Sequence, residues 1–211
     1  MSFSIQLDSS PIDSFKSFNP TQNDKALENL EKLKSLKIQG EFQGPDNENK
    51  IFAKNWSPLL CYVKDEFQLR PMRYGIVHKE DPSYVNTKNL NIDIDKVDSA
   101  KWSRSLKSFR AIISMRSYYI METKNGLIDL KEYSKKGSYN ILAPVIYDNW
   151  FSEDKSTIIQ SFALISSQSE SGSTMPFDLN FNQAKSWLLG EDNWKDFKLA
   201  DLQKSPLNID S

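Results

Sequence analysis

One stretch constrains this 211-residue chain more than any other: "FRAIISMRSYYIMET" (109–123), then Lys124-Asn125-Gly126, then "LIDLKEY" (127–133). Asn-Gly is a strong two-residue hairpin signal, because a type I′ turn needs positive φ at both central positions. The β-branched and aromatic runs on either side predict an antiparallel strand pair. "PLLCYVKDEFQLRPMRYGIVHK" (58–79) predicts a second pair around a tight connection at Lys64-Asp65. "SFSIQL" (2–7), "SYNILAPVIYDNW" (138–150) and "SFALISS" (161–167) add three more strands, with Pro144 expected at an edge or a bulge. Helices are expected at 21–37, with Leu27, Leu30, Leu33 and Leu36 as the apolar stripe, and from near Asn180 to Gly190. Many non-local strands and a few helices indicate an α+β fold, with a curled or barrel-like, mainly antiparallel sheet flanked by helices. The length suits a single domain over 1–211.

Composition narrows the function classes. The net charge of −1 argues against a molecule that binds nucleic acid with its whole surface. One stretch departs from this balance. "KWSRSLKSFRAIISMRS" (101–117) carries Lys101, Arg104, Lys107, Arg110 and Arg116 and no acid. The first four recur every third residue, so on a helix they share a broad face, either a solvated surface or a phosphate-contacting stripe. The single cysteine, Cys61, sits in apolar "LLCYV" and reads as a core thiol. One histidine and one cysteine cannot form a zinc site, and no calcium or phosphate loop is present, so no metal and no cofactor is expected. No apolar run approaches a membrane span, and the first residues lack the pattern of a secretory signal. These features predict a cytoplasmic monomer with no membrane contact.

Six motifs in collinear order, from about Pro58 to Leu189, resemble the SOS-response-associated peptidase (SRAP) family. "PMRYGIV" is similar to its "MRWGLIP", "LNIDIDKV" to "LNARxETV", and "KWSRSLKSFRAIISMRSYYIM" to "SFR…RRCLVPADGFYEW". "VIYDNW" is similar to "GLWERW", "SFALISS" to "TFTILTT", and "STMPFDL" with "AKSWLL" to "DRMPVIL" with "AxWL". The resemblance implies a β-rich α+β fold with a groove for single-stranded DNA. It further implies covalent capture of abasic sites by an N-terminal cysteine, exposed when the first methionine is removed. There an asparagine positions the sugar, while a glutamate and a histidine move protons.

Carried over position by position, most of that machinery is absent. Ser2 stands at the cysteine and Ser4 at the first-strand arginine. Asn91 matches the asparagine, while Asp93 replaces an arginine. Tyr118 and Tyr119 match "FY", but Ile120 stands at the glutamate and Met121 at the tryptophan. Glu122 points to the face of Ile120 but lies about 6.6 Å further along the strand, beyond what catalytic geometry tolerates. Gly172 stands at the histidine and Thr174 at another arginine. His78 reads as a surface histidine just past the "MRYGIV" strand. Tyr74, Trp102, Tyr118, Tyr119, Tyr147 and Trp150 read as packing residues. The expected function is therefore a SRAP-like binding module without covalent catalysis, its partner single-stranded DNA or a protein. The alternatives are an active enzyme built on Ser2 and Asn91 with a relocated acid, and a protein-interaction module with no DNA role.

Overall fold

A computed structural model of the chain describes residues 3–7, 11–20, 50–78, 81, 89–124, 127–137, 140–169, 172–191, 194–200 and 202–204. The helix expected at 21–37 and the position of Ser2 lie outside the described residues. The strands are β1 (Phe3–Leu7), β2 (Lys50–Ile51), β3 (Trp56–Val63), β4 (Glu66–Tyr74), β5 (Asn91–Asp93), β6 (Arg110–Lys124), β7 (Leu127–Lys135), β8 (Ile141–Phe151), β9 (Ile158–Gln168), β10 (Thr174–Pro176) and β11 (Leu202–Lys204). The helices are α1 (Pro11–Phe15), α2 (Ser103–Ser108) and α3 (Phe181–Leu188).

Local chemistry explains the connections. Lys64 and Asp65 both have positive φ, 53° and 63°, as a two-residue turn between right-twisted strands requires. It sets Val63 opposite Glu66. Lys124 pairs with Leu127, so the strands flanking Asn125-Gly126 are antiparallel as expected, although the two turn residues lie outside the described residues. Asn180 caps α3 in a full capping box: its side chain accepts from Gln183 N–H, and the Gln183 side chain accepts from Asn180 N–H. Gly190, at φ 86°, closes the other end.

Five strands close into a barrel in the order β3, β4, β9, β8, β6 and back to β3. Every join is antiparallel except β4 with β9. Pro144 lies well inside β8, opposite Ile112, rather than at the sheet's edge. The β8–β9 ladder begins only at Val145, so the missing proline N–H faces a side where that ladder has ended.

β6 organises the molecule because it changes partners along its length. Its first half pairs with β8, its second with β1 and β7. A β-bulge marks the change: Leu7 pairs with Met115, yet Gln6 pairs with Ser117, leaving Arg116 over. The inward parity shifts by one residue there. Ala111, Ile113 and Met115 face the interior before the bulge, and Tyr118 and Ile120 after it. The interior also holds Ile5, Leu59, Cys61, Met72, Tyr74, Val145, Tyr147, Phe162 and Leu164. Outward residues such as Leu60, Ile112, Ile146 and Ile165 meet a second core supplied by Phe15, Phe18, Trp102, Leu106 and Trp187. No described helix is long and apolar enough to cross a membrane.

Candidate functional site

Asn91 opens β5, which lies parallel to β9 with Asn91 beside Leu164. The half-buried Asn91 side chain turns inward, and its Nδ2 donates to the Tyr118 hydroxyl at 2.9 Å. Tyr118 is fully buried, and its phenol pKa is raised mainly by desolvation, with the Asn91 hydrogen bond opposing. Tyr74 is also fully buried and is held in its neutral form, first by burial and then by the neighbouring Tyr118. Its ring stacks on Phe162 at 5.2 Å between centroids. The Tyr74 and Tyr118 phenols and the Asn91 carboxamide therefore share the interior with Tyr147, Cys61 and the mainly apolar side chains of the barrel.

Ile120 is 1% exposed and packs in the same interior cluster. A branched alkyl group there can neither hold nor transfer a proton. Gly172 lies between β9 and β10, where its N–H donates to Ser169 C=O at 2.8 Å and its φ is 80°. A Cβ would meet nothing within 4 Å, so the left-handed backbone and not crowding favours glycine there. Thr174 opens β10 on the same connection. Ser4 pairs with Tyr119, on the strand face opposite to inward-pointing Ile5, and is buried with no hydrogen bond to its Oγ. Glu122 pairs with Asp129 near the end of the β6–β7 hairpin.

The basic stretch divides. Lys101, in the turn before α2, and Arg104 and Lys107 on the helix are exposed, while Trp102 at its N-cap and Ser105 and Leu106 within it are buried. Lys101 Nζ lies 4.6 Å from the centre of the Trp102 ring, and the Arg104 guanidinium lies 5.1 Å from that of Phe109. Arg110 does not belong to this face. Helical spacing ends at Ser108 and Arg110 opens β6, so an expected fourth cation of the stripe is instead 6% exposed and structural. Its Nε donates to Leu106 C=O, its Nη1 donates to Glu191 C=O at 2.7 Å, and its plane covers Trp187 at 4.7 Å. His78 is half-buried rather than a plain surface residue, its ring edge-on to Trp102 at 5.9 Å.

The packing readings hold for Tyr74, Trp102, Tyr118, Tyr119, Tyr147, Trp150 and Cys61, all buried. Reading the tyrosines only as packing overlooks their hydroxyls. A signal was present: Tyr74 and Tyr118 stand where the similar motifs carry tryptophan and phenylalanine, so two hydroxyls enter the interior.

No protein-family model matches the sequence, and no curated protein does. Solved structures do share the fold. A structural-genomics protein from Bacteroides thetaiotaomicron has a TM-score of 0.68 at 15% identity, over 88% of this chain and 80% of that one. One from Bordetella bronchiseptica has a TM-score of 0.65 at 11% identity, over 98% of this chain and all of that one (100%). A phage-related protein from Bordetella bronchiseptica reaches 0.54 at 12% identity, over 68% and 70%. At such identities the likeness is one of fold alone.

Proposed function

We propose that the chain is a divergent SRAP-type barrel that has given up covalent capture and binds single-stranded DNA reversibly through Lys101, Arg104 and Lys107. The observation that carries this reading is the interior around Asn91. Where the resemblance implies a glutamate, Ile120 is buried among apolar neighbours, and the Asn91 amide is already bonded to Tyr118. Proton transfer needs a titratable group within hydrogen-bond reach of the reacting atoms, and neither of these two positions supplies one. The three exposed cations retain what reversible phosphate binding needs: charge, mobility and access to solvent.

Three phosphate contacts on a single strand give a slope of about −2 in log affinity against log salt. Labelled single strands with and without an abasic site, followed by fluorescence anisotropy and a denaturing gel, test the reading. The expected result is equal binding of both strands, weaker by roughly twentyfold on going from 50 to 200 mM salt. An adduct that survives denaturation and requires the Ser2 amine overturns the loss of covalent capture. Absence of binding at 50 mM salt overturns the DNA role. A protein-interaction module then becomes the better reading, favoured by Phe151 and Ile158, a cross-strand pair at the end of β8–β9 that is 48% and 56% exposed.

A further inference from the structure

The register turns a cation into the barrel. On β4, Arg70 alternates with the interior residues Met72 and Tyr74, and it stands opposite interior Leu59 on β3. Its Nε and Nη2 donate to Gln68 Oε1 at 3.1 and 2.8 Å, and Gln68 is buried. A neutral amide thus fixes the guanidinium plane without neutralising its charge. A guanidinium has five N–H donors, so this fork leaves both hydrogens on Nη1 and one on Nη2. Across the interior stands Tyr147, 4% exposed, and its phenol and the Cys61 thiol both feel the Arg70 charge. The walls at this end supply no inward acid among the described residues. β3 and β9 contain none, and Glu122 of β6 lies near the far hairpin end. Asp148 of β8 follows Tyr147 and so faces outward, and exposed Glu66 is four residues, about 13 Å, away along β4. Asn149 and Gln160, half-buried and bonded to each other at 3.0 Å, are neutral as well. Arg70 is itself half-buried, so solvent reaches it here.

We infer that Arg70 and Tyr147 form a subsite for one oxyanion, the carboxylate or phosphate group of a small molecule. The free end of the guanidinium presents N–H groups from Nη1 and Nη2 side by side, a fork that matches two oxygens of the guest. The Tyr147 O–H donates to one of them. Gln68 is the positioning residue, because its amide holds the guanidinium so that this end stays open. Binding supplies the counter-charge that a partly desolvated cation lacks in its own surroundings. The subsite uses none of the positions matched to the SRAP machinery and none of the cations around α2.

Thermal unfolding of the full chain in acetate, inorganic phosphate and chloride at equal ionic strength tests this. Acetate or phosphate should raise the midpoint saturably, by about 3–6 °C at ten times its dissociation constant, and chloride should not. The stronger of the two responses identifies the guest as carboxylate or phosphate. Equal responses to all three salts overturn the proposal. Arg70→Gln should abolish the saturable rise. A rise that this variant retains is general salt exclusion and overturns the proposal as well. Tyr147→Phe removes one oxygen and keeps the ring, so it serves where Arg70→Gln fails to fold. It should weaken acetate or phosphate by about tenfold, the effect of one hydrogen bond to a charged group, and unchanged affinity overturns the subsite. No DNA enters these assays, so their failure leaves the DNA-binding reading untouched.

Discussion

Arg110 and Tyr118 lie on one strand, eight residues apart, and both are buried, but their polar atoms are satisfied in different ways. On the outer face Arg110 finds backbone. The carbonyl of Leu106 belongs to the last turn of α2, and that of Glu191 follows α3, and helix ends leave such carbonyls without intrahelical partners. Inside the barrel the Tyr118 hydroxyl meets a side chain, Asn91, brought in by a strand 27 residues away in sequence. The outer face thus buries a full charge on two backbone carbonyls, one four residues away in sequence and one 81 residues away. On the inner face side chains satisfy one another, Asn91 with Tyr118 and Arg70 with Gln68.

The largest expected effect concerns the outer face. Trp187 is fully buried, its Nε1 donates to Ala111 C=O at 2.9 Å, and its ring packs against Arg110 and Phe197. Trp187→Ala should cost about 3–5 kcal/mol by chemical denaturation. A loss below 1 kcal/mol would mean that the helices are not a structural half of the molecule. Next comes Arg110→Met, which keeps much of the stem but leaves two carbonyls unbonded. A loss of about 1.5–3 kcal/mol is expected, with affinity for single-stranded DNA unchanged once folding is allowed for. A selective loss of DNA affinity would return Arg110 to the basic stripe.

Alkaline titration isolates the interior, where Cys61, Tyr74, Tyr118 and Tyr147 all reside. Burial pushes the Cys61 thiol up to about 12, with Arg70 opposing, and raises the three phenols as well. Each group keeps its proton in the folded chain while the unfolded chain releases it. Stability is thus fully present below the unfolded pKa values and falls as pH rises from about 9 toward 12, by about 1.4 kcal/mol per pH unit for each group titrating. Urea midpoints at pH 8, 9, 10 and 11 should decline, with Cys61→Ala flattening the first part. A flat profile to pH 11 would contradict the closed interior. The smallest effect belongs to Lys101, Arg104 and Lys107. Their replacement by alanine should change stability by less than about 0.5 kcal/mol each while weakening DNA binding in anisotropy, which sharpens the contrast with Arg110.

What could be read from the sequence was what short-range chemistry decides. The turn at Lys64-Asp65, the hairpin around Asn125-Gly126 and the helix from Asn180 to Gly190 each rest on residues only a few positions apart. The many non-local strand patterns announced a curled or barrel-like sheet, and its burial on both faces came to light in the structure. The candidate site was legible only in part: Asn91 and Ile120 stood out as positions, but not the Tyr118 hydroxyl that meets the Asn91 amide. Three-residue spacing carried the basic pattern through Arg110, because nothing in "LKSFRA" says on which residue helix gives way to strand. The tertiary structure alone fixed that boundary, the bulge at Arg116 and the meeting of Asn91 with Tyr118. Each depends on which strands become neighbours. That choice is made by the closure of the whole sheet, through contacts between residues far apart in the chain.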